Sequence, residues 1–256
     1  MVMNERSIVV VSYAEDILSN ILMTMLHAQS TQVLHISPGA LGSRQVTVQD
    51  DVLRIDGRHI CAVVFRAAPE SALSEDFRLS DQSFCDAESR AIWLAALNLD
   101  SVLAINKYDA MSWFEGIGWP VWRRKLIQAH VPVSKFLFGD AASQASYFWH
   151  PYTSYEARPA PGQPTTRVLG SALSETRSTC ESLMVGNEIV EGKQTHSVCA
   201  AAKLLTGMGI WLAAIVTDQD DGIVSVNTLP TINDYHIGAL VAQRIAETYY
   251  AHLHCG

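Results

Sequence analysis

Residues 211–230, WLAAIVTDQDDGIVSVNTLP, constrain the fold more than any other stretch. Residues 211–217 are apolar and rich in β-formers, and residues 223–226 are a second such run. Between them Asp218-Gln-Asp-Asp-Gly222 is a turn, in which Gly222 is free to take a positive φ. The second strand delivers Asn227 to the mouth of a buried hairpin, and Pro230 stops the ladder. Asn227 therefore has two readings. It caps the next turn, or it is a polar site residue at a strand end.

The rest of the chain reads as layered α/β. Residues 7–13 are a short strand buried on both faces, as in a parallel sheet. Residues 14–29 carry a helical stripe of Ile17, Leu18, Ile21, Leu22, Met25 and Leu26, and residues 32–36 are the next strand. The first turn, Ser12-Tyr-Ala-Glu15, has no glycine and carries an acid, so it is a poor phosphate cradle. Residues 46–53 and 58–59 form one hairpin about Asp56-Gly57, and residues 61–65 are a strand ending at Arg66. A helix is predicted over 83–97, a strand over 101–106, and a hairpin over 181–190 with Gly186-Asn187 as a type I′ turn. A helix over 197–206 ends at Gly207, and Asn233 or Asp234 caps a helix from 235 to 252. The Pro-rich run 158–164 is a loop.

Composition bounds the function. With 256 residues, 48% hydrophobic and 17% charged, the chain is globular rather than disordered. The net charge of −8 and the lack of a Lys/Arg run argue against nucleic acid or an anionic membrane as partner. No segment reaches the ~20 unbroken apolar residues of a membrane span. Five scattered cysteines without a CxxC pair read as reduced thiols in a cytoplasmic protein.

Several of these segments together resemble the RimK-like branch of the ATP-grasp ligases, which join carboxylates to amines and include peptide-modifying enzymes. The family's hairpin runs from a strand ending in Asp through an Asp/Asn-Gly turn to Glu-x-Asn and a Pro. Here the Val-Asn-x-x-Pro end is present, but Val216 stands at the Asp position and Ser225 at the Glu position. The segment VVFRAAP resembles the family strand ending in Arg-x-x-Pro, and Phe84 with Glu88 resembles its Phe-x-x-x-Glu helix. Arg66 and Glu88 are thus the implied substrate-side residues. For Arg66 two roles stand: pairing with a nearby acid, or orienting a peptide or carboxylate through its planar fork. The family's Ala-Gly-hydrophobic segment corresponds to Ala129-His130-Val131, and its phosphate lysine, about eleven residues earlier, falls on Trp119. Residues 141–180, where a second lysine and the adenine linker belong, hold no lysine.

The resemblance implies an ATP-grasp-like α/β fold. It has an N-terminal parallel α/β domain over 1–110 and a truncated ATP-grasp domain with a mixed or antiparallel sheet over 111–256, carrying a Pro-rich stub at about 141–180. It also implies a degenerate ligase, a pseudoenzyme with no cofactor expected, that binds a peptide or protein partner such as a true ligase. The aromatic cluster Trp113, Trp119 and Trp122 is either that partner surface or a packed core. The alternative is an active ligase using Mg-ATP, with Asp218 and Asn227 as metal and cofactor ligands. Homo- and hetero-oligomers are both compatible with the sequence.

Overall fold

A computed structural model describes residues 6–29, 31–67, 88, 91–107, 119–134, 136–137, 147–148, 170–171, 173–174 and 179–255. The strands are β1 (Ser7–Val11), β2 (Gln32–Ile36), β3 (Val46–Gln49), β4 (Val52–Ile55), β5 (Arg58–Phe65), β6 (Leu103–Ile105), β7 (Phe136–Leu137), β8 (Tyr147–Phe148), β9 (Gly170–Ser171), β10 (Leu173–Ser174), β11 (Cys180–Val185), β12 (Glu188–Glu191), β13 (Leu212–Thr217) and β14 (Ile223–Asn227). The helices are α1 (Ile17–Ala28), α2 (91–97), α3 (Trp119–Gln128), α4 (His196–Gly207) and α5 (Tyr235–Cys255), with a 3-10 turn at Pro38–Ser43. Among the described residues no helix is long and apolar enough to cross a membrane.

The chain divides into two compact units, residues 1–110 with 209–211 and 231–256, and residues 111–208 with 212–230. The last helix, α5, falls within residues 231–256 and so belongs to the first unit. The physical reason is the packing of α5 on α1. Val241, Ile245 and Tyr249 of α5 are buried, as are Leu18, Leu22 and Leu26 of α1. Gly238 permits this close crossing, since a Cβ there would lie 3.0 Å from Ile21 Cδ1.

The first unit is built on a six-stranded mixed sheet in the order β2-β1-β5-β4-β3, with β6 also paired to β5. The β1, β2, β5 and β6 pairings are parallel, as the double-sided burial of residues 8–11 and 60–65 requires. Two hairpins stand where the spacing suggested one. Asp50 and Asp51 both adopt positive φ (52° and 60°) and turn β3 into β4 before Asp56-Gly57 turns β4 into β5. The sequence signal was weak because aspartate tolerates the left-handed region without advertising it as glycine does.

The second unit contains a four-stranded antiparallel sheet in the order β12-β11-β13-β14 and two short ladders, β7 with β9 and β8 with β10. In the β11–β12 turn only Gly186 has a positive φ (58°), the pattern of type II′ rather than the expected type I′. Thr195 caps α4 and Asp234 caps α5. Helix α4 includes Gly207, and the left-handed residue that follows it is Gly209 (φ 82°). The Pro-rich run 158–164, Phe84 and Trp113 lie outside the described residues.

Candidate functional site

The β13–β14 hairpin is the strongest candidate. Its turn is closed by Asp218, whose Oδ1 accepts from the backbone N–H of Asp220 (3.0 Å) and Gly222 (2.9 Å). The left-handed residue is Asp221 (φ 62°), not Gly222 as expected. Gly222 serves a different need: a Cβ there would lie 2.9 Å from the Ser134 backbone nitrogen. This close approach lets residues 132–134 run beside β14, with Ile223 N donating to Pro132 O (3.0 Å) and Ser134 N donating to Ile223 O (2.9 Å).

The ladder register places Val216 directly opposite Ser225, and Ala214 opposite Asn227. The two positions to which the resemblance assigns metal carboxylates therefore face each other and hold a valine and a serine. Ser225 is 2% exposed, and its hydroxyl has no hydrogen-bond partner among the described residues. Asn227 Oδ1 accepts from Leu229 N at 2.9 Å, which is the turn cap of its first reading.

Asp218 and Asn227 do not come together. Asp218 follows the end of β13 and lies four positions from Ala214, the residue paired with Asn227, or about 14 Å at ~3.4 Å per residue. Oxygens sharing one Mg²⁺ lie within about 4 Å of each other. The register places the two residues toward opposite ends of the hairpin. Among the described residues no group of three or more His, Cys, Asp or Glu side chains is arranged to hold a metal. Among the described residues, the two hairpin positions where the resemblance places metal carboxylates hold Val216 and Ser225.

Helix α3 packs on β14. Trp122, expected as part of a partner surface, is instead buried at 1% exposure, with Leu126 also buried. The helical period turns these two residues to the sheet, and Lys125 Nζ lies 5.9 Å from the centre of the Trp122 ring. Trp119 is the first residue of α3. His130 has a φ of 58°, the conformation that the family's glycine at that place supplies freely.

In the first unit, Arg66 is committed to an acid. Its Nε and Nη2 donate to Asp16 Oδ2 (3.3 Å) and Oδ1 (3.1 Å), with the guanidinium side chain 3% exposed. Asp16 also caps α1, accepting from Ser19 N (2.9 Å) and Ser19 Oγ (2.5 Å). Burial raises the Asp16 carboxyl, but the Arg66 charge and the hydrogen bonds from Arg66 and Ser19 outweigh it and hold the group below its ordinary value. Asp16 was not legible as the acid for Arg66, because the two meet only where parallel β1 and β5 end side by side and Asp16 opens the helix after β1. Glu88 is exposed and helical.

This arrangement of an α/β unit and an antiparallel unit carrying the β13–β14 hairpin is the fold of the ATP-grasp ligases. It matches the solved structure of the ATP-grasp ligase PsnB complexed with minimal precursor, Mg and ADP, at a TM-score of 0.67 and 14% identity over 94% of this chain and 97% of that one. It also matches the macrocyclase MdnC bound with precursor peptide MdnA from Microcystis aeruginosa MRC (TM-score 0.66, 8% identity, 94% and 99% covered). A RimK domain ATP-grasp protein from Sphaerobacter thermophilus DSM 20745 matches at a TM-score of 0.53 and 14% identity, with 93% and 98% covered. At these identities the likeness is one of fold. No protein-family model matches the sequence, and no curated protein does.

Proposed function

We propose that this chain is a degenerate ATP-grasp protein, a pseudo-ligase that serves as the binding or partner subunit in a peptide-modifying pathway. The observation that carries this reading is the facing pair Val216 and Ser225. Phosphoryl transfer in this fold depends on positioning and on neutralising spread charge with Mg²⁺ and cationic side chains. A valine supplies no ligand. A buried serine hydroxyl is a far weaker Mg²⁺ ligand than a carboxylate. Loss of one catalytic electrostatic contact typically costs about 2.7–4 kcal/mol, roughly 100- to 1000-fold in rate. Two carboxylates and the phosphate lysine at position 119 are missing here together.

Solved structures of this fold include PsnB complexed with precursor peptide PsnA2 and MdnC bound with precursor peptide MdnA. That favours a peptide as the partner class for this chain. The active alternative requires Asp218 and Asn227 to share Mg²⁺, and the hairpin register weighs against it. Of the proposed aromatic surface, Trp119 remains the testable residue. Trp119→Ala is expected to weaken partner binding with the fold intact, and an unchanged affinity would remove Trp119 from the surface. The function itself is tested by calorimetric titration with Mg-ATP. No saturable heat at millimolar nucleotide is expected, and saturable binding abolished by Asp218→Asn would establish the active alternative.

A further inference from the structure

The cations of the first unit are unevenly served. Arg44, Arg66 and Arg244 each pair with a carboxylate. Arg6 and Arg54 make no side-chain hydrogen bond or ion pair among the described residues, in a chain of net charge −8. Their placement is not scattered. Thr47 pairs with Arg54 across β3 and β4, and Arg54 pairs with His59 across β4 and β5. Arg6 precedes Ser7, the partner of Ile60, and so stands beside His59. Residues paired across adjacent strands share a face, so Thr47, Arg54, His59 and Arg6 form one row.

Among the described residues the row has no paired anion. Like charges on neighbouring strands repel, and the nearby carboxylate of Asp56 is spent on Arg44 at 3.0 Å. Burial, then the charges of Arg54 and Arg6, push the His59 imidazole below its ordinary value. Its Nδ1 is shielded from solvent and has no hydrogen-bond partner. This is an orphaned polar atom at the centre of a cationic row.

The row ends at an open strand edge. Strand β3 is the last in the sheet, and among the described residues no strand pairs with its outer side. Asp56 N donates to Gln45 O (2.9 Å), so antiparallel alternation turns the backbone groups of Gln45, Thr47 and Gln49 inward. Those of Val46 and Val48 then point outward, and Val48 is 44% exposed. A segment added there would place the residue opposite Thr47 on the same face as Arg54, two strand spacings away, or about 10 Å. A glutamate and an arginine side chain together cross that gap over the small Thr47.

We propose that β3 accepts an extended peptide segment as an added strand, and that a carboxylate side chain of that segment is read by Arg54, with Arg6 and His59 behind it. The backbone ladder supplies affinity, and the cationic row supplies the preference for acid. The ligand class rests on the peptide-partner reading above, but the site is independent of nucleotide. Mg-ATP binding would overturn that reading and leave this one standing.

The test is NMR titration of the ¹⁵N-labelled full chain with acetyl-Thr-Val-Glu-Val-Thr-amide, its Gln counterpart, and sodium phosphate. The Glu peptide is expected to shift the Val46 and Val48 amides and the His59 ring saturably, with affinity about ten-fold above the Gln peptide. Arg54→Gln is expected to abolish that preference while the remaining spectrum stays in place, because Arg54 holds β3 through its backbone. Equal affinities for the two peptides would overturn the proposal. So would phosphate shifting His59 while neither peptide moves the β3 amides, which would mark a free-anion site. Absence of any saturable shift at millimolar peptide would overturn it equally.

Discussion

Replacing Arg66 by Met separates structure from substrate binding at the residue most suggestive of the latter. The guanidinium and the Asp16 carboxylate are 3% and 17% exposed and are joined by two contacts, at 3.1 and 3.3 Å. Removing one partner of a buried pair costs about 3–5 kcal/mol, mostly because the other charge is left behind. Asp16 keeps its two Ser19 hydrogen bonds and some solvent, so about 3 kcal/mol is expected at pH 7. Asp16→Asn retains a competent N-cap but removes the carboxylate charge from Arg66, and is expected to cost a similar amount. The double variant is expected to cost about 2 kcal/mol less than the sum of the two. Urea unfolding followed by circular dichroism measures all three. The sign with pH follows from the depressed Asp16 value. The pair's contribution is present above the ordinary carboxylate value of 3.8 and is lost as pH falls through the folded value, so the Arg66→Met deficit shrinks in strong acid. An Arg66→Met chain with wild-type urea resistance at pH 7 would refute this reasoning and return Arg66 to the substrate side.

Other expectations follow from single residues. Trp122→Ala is expected to cost about 3–5 kcal/mol in the same assay, since the ring is buried against the sheet; a loss under 1 kcal/mol would mean that it is not core. Ser225→Ala removes an unpartnered buried hydroxyl and is expected to be neutral or stabilising by up to about 1 kcal/mol; a clear loss would reveal a ligand or partner at that oxygen. Gly222→Ala drives a methyl into the Ser134 backbone and is expected to destabilise by about 1–3 kcal/mol, read as a lowered urea midpoint. His59 is depressed in the folded state, so the unfolded chain takes up its proton first and stability falls as pH drops below about 6.5. His59→Gln is expected to flatten thermal stability between pH 7 and 5; an unchanged pH slope would contradict that assignment.

The parts of this fold legible in the sequence were those written in short-range period and turn chemistry. The apolar runs of β1, β13 and β14, the stripe on α1 and the Asp234 cap of α5 are local patterns, and they hold. What was not legible depends on residues far apart in the chain. Asp16 meets Arg66 only because two parallel strands end together. The return of α5 to the first unit depends on Gly238 clearing Ile21. Asp218 lies two residues past Val216 and so on its strand face, yet the antiparallel register places Asp218 and Asn227 toward opposite ends of one hairpin. Trp122 looked available because aromatic residues are read as surfaces or as core with equal ease until a helix phase is known. The facing of Val216 and Ser225 is the informative intermediate case. The motif named both positions, and the ladder shows that they oppose each other.

The central claim is that this hairpin no longer holds a nucleotide's metal. Isothermal calorimetry of the purified full chain with Mg-ATP, beside the Asp218→Asn variant, tests it most directly. The account predicts no saturable heat from either protein at millimolar ATP. Saturable binding by the wild-type chain that Asp218→Asn removes would contradict it and make the chain a working ligase.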